Sequence, residues 1–443
     1  MNSSWVFKKK VGYSKYIDPI LKSGLQFIND NPKIIKGIYK HTSYNDEPKL
    51  YGYTVYFREK YSHAEHKYSG AAGLAFEQKK ALLKTLGETV ERYSLGVNNN
   101  KRFIFSSFND LVKFKKMALD PNSLVLFSNK KHRIPNLNNK KLHWIQVESL
   151  LSNKKIFMPA QLVYVPYLYH DSEPILRFPI STGAAAGVTL TSALYRGICE
   201  VVERDAFMIA YLNKIPSPQV DLSAIKDKLI YDIINIFKRY KLEMIVLDLT
   251  TDLQIPVFAA ITLDRTGIGP AVSVGLKSGF HIKEAILGAI EESLMVRYWT
   301  RDQLIHRNPH YRMAKKIQTI EDRAYFWFHL SSIKYIDFWL KKRTFKKVDS
   351  QKSISSDNNL ENIVKLFKQK NIEAMYVDIT DKKVKKYGFV VVKVIIPQLQ
   401  PLFLEEEYSC LKEDRLYDAQ VKMGYVQKPS KKRQLNRIPH PFL

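Results

Sequence analysis

The sequence predicts an α+β fold with internal pseudo-repeats. Three observations predict it. Short β-type apolar runs, such as MIVLDLT (Met244–Thr250) and VFAAITL (Val257–Leu263), alternate with long runs of helical periodicity. FKRYKLEMIVLDLT (Phe237–Thr250) is echoed by FKQKNIEAMYVDIT (Phe367–Thr380), with Phe, Lys, Glu, Asp and Thr at the same offsets. LGETVERY (Leu86–Tyr93) is echoed by ICEVVERD (Ile198–Asp205). Two echoes in one chain describe one intertwined domain of related helix–strand units.

In chain order, the first 50 residues are basic, tyrosine-rich and weakly periodic, and form an N-terminal segment. Residues 51–427 form the main domain and residues 428–443 a tail ending PHPFL. From Tyr51, YGYTVYFREKY alternates as a strand does. SGAAG (Ser69–Gly73) predicts a Gly/Ala turn before a helix over Glu77–Ser94. Ser128–Lys141 is polar and predicts a surface loop, and residues 155–166 predict a strand. STGAAAG (Ser181–Gly187) predicts a second Gly/Ala turn before a helix over Thr191–Leu212. A third helix is predicted over Ile282–Arg301 and a polar loop over Gln351–Asn359. A further helix leads to the strands AMYVDIT (Ala374–Thr380) and FVVVKVII (Phe389–Ile396).

The 443 residues are 45% hydrophobic and 26% charged, a folded and not a disordered composition. Two cysteines, Cys199 and Cys410, exclude a disulfide framework and a cysteine-based zinc finger. The start, MNSSWVFKKKVGYSKYIDPI, lacks the apolar run of a signal peptide, and no apolar stretch reaches membrane-spanning length. The expectation is a reduced, cytoplasmic protein with no membrane association. The net charge of +27 suits an acidic partner, but its basic clusters are short and dispersed. Nucleic acid is therefore an unlikely main ligand, and an acidic peptide stays open.

Three helices carry Glu and Arg at helical spacing: Glu88, Glu91 and Arg92; Glu200, Glu203 and Arg204; Glu291, Glu292 and Arg297. Positions three and four apart share a helix face, opposite the apolar stripes Leu82–Leu86–Val90 and Leu194–Ile198–Val201. A solvated, ion-paired face accounts for either helix alone. The repeated E-x-x-E-R, each after a Gly/Ala stretch, admits a second reading. Converging carboxylates repel unless cations join them, and Mg²⁺ takes oxygen ligands from carboxylates and phosphates together. The three arginines then suit forked phosphate contacts.

Competing chemistry is thin. GPAVSVGLKSG (Gly269–Gly279) misses P-loop spacing, and no G-x-S-x-G elbow occurs. His63 and His66 lack a third zinc ligand in the sequence nearby. Cys199 suits a small buried hydrophobe better than a nucleophile. The residues themselves reach a Mg-nucleotide site without a P-loop, and no further.

STGAAAGVTLTSALYRGICEVVERDA (Ser181–Ala206) closely resembles the signature of the YcaO family, S-N-G-x-A-x-G-x-T followed by a helix ending C-E-x-x-E-R-D-A. Ser69–Ser94 resembles that family's G-K-G and L-G-E-x-x-E-R-Y-S segment, and Ser273–Arg297 its third, Ala-rich helix. VKVIIPQLQPL (Val392–Leu402) and PHPF (Pro439–Phe442) resemble the late strand and terminal Pro-x-Pro of the azoline-forming branch. The resemblance spans about residues 60 to 443 in order. The chain departs from the pattern at Ala72 (Lys in the family), Lys84 (Ser), Thr182 (Asn), Met295 (Gln) and Leu443 (Pro).

The resemblance implies a YcaO-type fold of mixed sheets flanked by helices. It implies ATP- and Mg²⁺-dependent cyclodehydration of Cys, Ser or Thr residues in a ribosomal precursor peptide. Glu88, Glu91, Glu200 and Glu203 would then hold Mg²⁺ and orient the triphosphate. Arg92, Arg204 and Arg297 would stabilise phosphate charge, with Glu292, Ser181 and Thr182 beside the nucleotide. The tail, with Pro439, Pro441 and Leu443, would approach the active site. Implied partners are a separate E1-like, leader-peptide-binding protein, an FMN-dependent dehydrogenase and a second copy of the chain. Thioamide or amidine formation, or a non-catalytic basic scaffold for peptide or nucleic acid, are the alternatives.

Overall fold

The computed structural model describes residues 18–58, 70–97, 102–124, 127–132, 134–170, 172–306, 317–341, 344–349 and 359–443. These residues hold three sheets. Strands β1 (Ile35–Lys40), β2 (Tyr51–Phe57) and β3 (Gly70–Ala75) pair antiparallel in that order. The second sheet holds β4 (Ile104–Ser107), β5 (Lys141–Ser149), β6 (Lys155–Pro159), β7 (Ala184–Gly187), β13 (Met375–Asp378) and β14 (Val390–Ile395). Its order is β4-β5-β13-β14-β7, with β6 also paired to β5. The third holds β8 (Gln219–Val220), β9 (Leu242–Asp248), β10 (Val257–Asp264), β11 (Val272–Ser278) and β12 (Phe345–Lys346), ordered β11-β10-β9-β8-β12. The short β8–β12 pair is parallel, which makes this sheet mixed.

The helices are α1 (Pro19–Asp30), α2 (Gln78–Gly96), α3 (Phe108–Lys113), α4 (Leu190–Leu212), α5 (Lys228–Arg239) and α6 (Ile282–His306). They continue with α7 (Ile320–Phe326), α8 (Asp337–Leu340), α9 (Asn359–Lys370), α10 (Lys382–Lys385) and α11 (Glu413–Lys422). Helix α4 lies between two sheets. Its Ile198, Val202 and Ala206 share one apolar core with Ala259 and Ile261 of β10 and with Val392 and Val394 of β14. On the far face of β10, Phe258 and Ala260 meet Phe237 of α5 and Ile286 and Ile290 of α6. On the far face of β14, Val391 and Ile395 meet Leu86 and Val90 of α2. Strand alternation sends neighbouring residues to opposite faces, so each strand feeds two cores. A reciprocal capping box between Thr189 and Ser192 starts α4.

The longer echo is a structural repeat. Helices α5 and α9 end in left-handed residues at matching offsets, Lys241 (φ 54°) and Asn371 (φ 57°), then run into β9 and β13. After each strand an aspartate accepts a backbone N–H: Thr250 to Asp248 at 2.9 Å and Thr380 to Asp378 at 2.8 Å. The threonine hydroxyls then accept from the next strand, at Val257 and Val391.

The first Gly/Ala stretch is strand and not turn, with Gly70–Gly73 inside β3, while the second opens with a turn at Thr182–Gly183 and continues as β7; Ser69 lies outside the described residues. Small residues let the strand lie directly on the following helix, and a Cβ on Gly73 would come within 2.6 Å of the Thr85 nitrogen. The strand expected over residues 155–166 stops at Pro159. The boundary at residue 50 divides no unit, since β1 pairs with β2 and Glu47 reaches Arg297. Most of the polar loop over Gln351–Asn359 lies outside the described residues.

Candidate active site

Three strand-to-helix units bring the acidic helices together: β3 leads to α2, β7 to α4 and β11 to α6. Each helix turns a carboxylate back onto its own unit's backbone. Glu88 accepts from Ala72 N–H at 3.2 Å, Glu200 from Gly183 N–H at 3.1 Å, and Glu292 from Leu276 N–H. Two more contacts cross between units. Glu203 on α4 accepts from Ser278 on β11 at 2.8 Å, and Glu291 on α6 accepts from Phe76 beyond β3 at 3.1 Å. Charge-assisted bonds to fixed backbone donors aim these carboxylates, so the E-x-x-E spacing becomes an array. Gly183 is required here. Its φ is +85°, and a Cβ would stand 2.2 Å from the Val394 carbonyl oxygen.

Glu91 is the exception. It has no hydrogen bond among the described residues. Burial, then Glu200 and Glu88, push its carboxyl well above the ordinary range. Burial also raises Glu200, against the pull of Arg204. Burial pushes Glu292 up to about 7, with Arg204 opposing and Glu203 adding to the rise.

Arg204 is the hub. Its guanidinium lies 3.1 Å from Glu203, 3.5 Å from Glu200 and 4.0 Å from Glu292. The Phe442 ring covers it at 4.0 Å, a cation–π stack that brings the tail to the site. Arg204 Nε and Nη1 are buried without a hydrogen-bond partner. Arg92 is more open: its side chain is 46% exposed, against 11% for Arg204, and its Nε donates to Glu88 at 2.7 Å.

The tail is fastened through its backbone. Tyr211 and Trp327 donate to the Pro439 carbonyl at 3.0 and 3.1 Å, and Arg323 donates to the His440 carbonyl at 2.9 Å. His440 is buried, donates to the Phe403 carbonyl at 2.7 Å, and burial holds its pKa well below the usual value. Pro441 is buried and Leu443 half-buried.

Thr182 lines a cleft with Arg177, Arg204, Val394 and Pro397. The Thr182 and Ile180 carbonyls accept from the buried Lys393 ammonium at 2.7 and 2.6 Å. Burial pushes Lys393 down to about 7, and Glu200 opposes it. The Ser181 carbonyl accepts from Ala184 N–H at 2.8 Å, and its side chain is exposed.

Arg297 does not join the cluster. It is 3% exposed and spent on Glu47 at 2.7 Å, Asp264 at 2.8 Å and the Pro270 carbonyl at 3.1 Å. Glu291 faces Lys84 at 2.6 Å and links α6 to α2. Cys199 is buried and its thiol pushed up to about 11, an inert packing residue. His63 and His66 lie outside the described residues. Arg177 lies in no segment the sequence marked, and Lys277, Lys393 and Phe442 lie inside marked segments that gave these side chains no role. Lys277 faces Glu203, Glu292 and Glu200; desolvation lowers its pKa and these charges more than reverse that.

Among the described residues no three Asp, Glu, His or Cys side chains form a ready metal cage. Mg²⁺ requires no such cage, since it takes one or two carboxylates and completes its octahedron with phosphate oxygens and water. The crowded carboxylates of Glu91 and Glu200, the second of them 3.5 Å from the Arg204 guanidinium, fit a cation and a phosphate together.

Comparison with known proteins agrees. Residues 72–400 match the family described as YcaO cyclodehydratase, ATP- and Mg²⁺-binding. A structure titled heterocyclase in complex with substrate and cofactor superposes with a TM-score of 0.77 and 21% identity, covering 96% of this chain. The chain spans 57% of that protein's length. A YcaO protein from Methanopyrus kandleri, bound with AMPPCP and Mg²⁺, superposes with a TM-score of 0.62 and 15% identity, covering 89% of this chain and 94% of its own. The E. coli microcin synthetase McbBCD complex gives a TM-score of 0.58 and 14% identity, over 82% of this chain and 88% of its own.

Proposed function

This chain belongs to the YcaO family, and we propose that it forms azolines in a ribosomal precursor peptide. The carrying observation is the acidic cluster in which Glu200, Glu203 and Glu292 surround Arg204, Glu91 and Glu88 adjoin Glu200, and Phe442 of the tail stacks on the arginine. A Cys, Ser or Thr side chain adds to the preceding amide carbonyl. The phosphoryl group of ATP carries the amide oxygen away as phosphate, and loss of the amide proton completes the C=N bond. Little covalent work falls to the protein in such a transfer, so its task is positioning and charge neutralisation.

Glu91 and Glu200 are the first candidates to hold Mg²⁺, because each lies in a field of like charge that a cation relieves. Glu88 and Glu203 are held by backbone donors and steady that pair. Arg204, already stacked on Phe442 and flanked by Glu203, has its Nε without a hydrogen bond and is the guanidinium placed to meet phosphate. Arg92 and Lys277 border the same carboxylates and add mobile positive charge. Ser181 and Thr182 stand on the loop tied down by Lys393. Pro439, Pro441 and Leu443 carry Phe442 to its place.

Capture of the peptide is assigned to a separate leader-binding partner, a reading supported by the likeness to a multi-subunit synthetase. An FMN-dependent dehydrogenase acting on the azoline product belongs to the same proposal. The test is calorimetry of ATP binding with and without Mg²⁺, for the wild type and Glu91→Gln. Mg²⁺-dependent binding, weakened in the variant, is expected. A folded wild type that binds ATP equally well without Mg²⁺ overturns the cation role of the glutamates.

A further inference from the structure

A second cavity, of about 600 Å³, lies at the base of the tail. Its floor is apolar, with Phe403, Leu411 and Leu435. Its rim is basic, with Lys432, Arg433 and Arg437. The wall contains one carboxylate, Glu406, and that is committed to Arg323 at 2.9 Å. Lys432 donates to the Ser128 carbonyl at 2.6 Å. Arg433 and Arg437 are exposed and have no ion pair among the described residues. Two guanidiniums without an ion pair thus border an apolar floor, the chemistry that suits a short acidic peptide. The apolar atoms receive its side chains and the forks receive its carboxylates.

The location ties this surface to the chemistry. His440 is part of the cavity wall, and Phe442, two residues on, stacks on Arg204. Two residues span at most about 7 Å of extended chain. A ligand seated in the cavity is therefore only a few residues from the carboxylate cluster, on the other side of the tail.

We propose that this cavity docks an acidic segment of the peptide substrate close to the residue being modified. The proposal rests on the azoline-forming reading and adds a substrate class to it: peptides with Asp or Glu near the reacting Cys, Ser or Thr. A half-open cavity of about 600 Å³ takes a few side chains and not a nucleic-acid duplex, which favours peptide over RNA as the source of negative charge.

The test uses the full chain and fluorescein-labelled octaglutamate, with octalysine and oligouridylate beside it, read by fluorescence anisotropy. Octaglutamate is expected to bind, and Arg433→Glu/Arg437→Glu to weaken it about tenfold or more. The control Lys382→Glu/Lys383→Glu, on the exposed α10, makes the same change in net charge and is expected to leave binding within about twofold. Equal losses in both variants overturn the site, because the whole charge of the chain then does the work. Oligouridylate that binds more tightly than octaglutamate and is lost in the Arg433/Arg437 variant overturns it in favour of RNA. Melting temperatures of both variants exclude loss of fold, and Arg437→Gln gives a milder second reading. ATP calorimetry separates the two proposals. Octaglutamate binding that survives while ATP binding fails retains the cavity and removes the azoline-forming function.

Discussion

Helices α2 and α4 carry the same E-x-x-E-R motif in different surroundings. On α4 the arginine is 11% exposed, touched by three carboxylates and roofed by Phe442. On α2 it is 46% exposed and bonded to the glutamate one turn before it. The cause is position. Both helices lie between two sheets, α2 between β2–β3 and β7–β14, but only α4 has the tail laid over its arginine. Identical spacing therefore gives a fixed charge array in one helix and an adjustable one in the other. Under the proposed function, such a two-sided site would hold one end of the nucleotide rigidly and let the other half adapt.

The comparison predicts its largest effects on α4. Glu203→Gln keeps the shape of the side chain and removes the charge beside Arg204. Ring formation, followed as loss of water by mass spectrometry, should fall on the order of a hundred- to a thousandfold with the fold intact. Unchanged turnover would end the claim that the α4 carboxylate array serves the reaction. Tail changes come next. Deleting Pro439–Leu443 should cut turnover more than ATP affinity, because the backbone ties at Pro439 and His440 place Phe442 on Arg204. Phe442→Ala alone should cost about tenfold in kcat, the scale of one desolvated cation–π contact. If KM for ATP moves and kcat does not, Phe442 acts in binding.

The same comparison explains what was legible in the sequence. The carboxylates were readable because helical spacing alone fixes a common face, and the repeat of E-x-x-E-R marked two helices as related. The longer echo was readable because it encodes a left-handed turn and an Asp cap at equal offsets. The Gly/Ala strands were not, since small residues chosen for close packing look the same as turn residues. Arg297 was misplaced because its partners, Glu47 and Asp264, are distant in sequence, and only the folded chain brings them within 2.8 Å. Lys393 sits in an aliphatic strand with no local sign that its amine would reach the Thr182 loop.

Acidity gives a smaller effect. Glu292 has an ordinary value of 4.5 and is pushed up to about 7 in the fold. Between those values the folded chain holds a proton that the unfolded chain releases. This group's contribution to stability therefore falls as pH rises from 4.5 to about 7, and is flat above. A cation entering the cluster competes with such protons. Mg²⁺-nucleotide binding should tighten as pH rises through about 7 and release protons below it. Calorimetry in buffers of different ionisation enthalpy counts the protons. A count of zero at pH 6 would detach Glu292 from the nucleotide site.

The finest contrast is between the two arginines themselves. The exposed Glu88–Arg92 pair contributes at most about 0.5 kcal/mol to folding, so Arg92→Ala should leave the melting temperature nearly unchanged. Under the proposed function its effect should fall on ATP affinity, where one mobile charge is lost. Arg92→Lys should then restore most of that affinity, because a point charge on a flexible stem meets a phosphate as well as a fork does in an open setting. Arg204→Lys should not rescue Arg204→Ala. An ammonium cannot stack on Phe442 in the guanidinium plane while facing three carboxylates. Equal rescue at both positions would mean that burial makes no difference between the helices, and the distinction between a rigid and an adaptable half would fail.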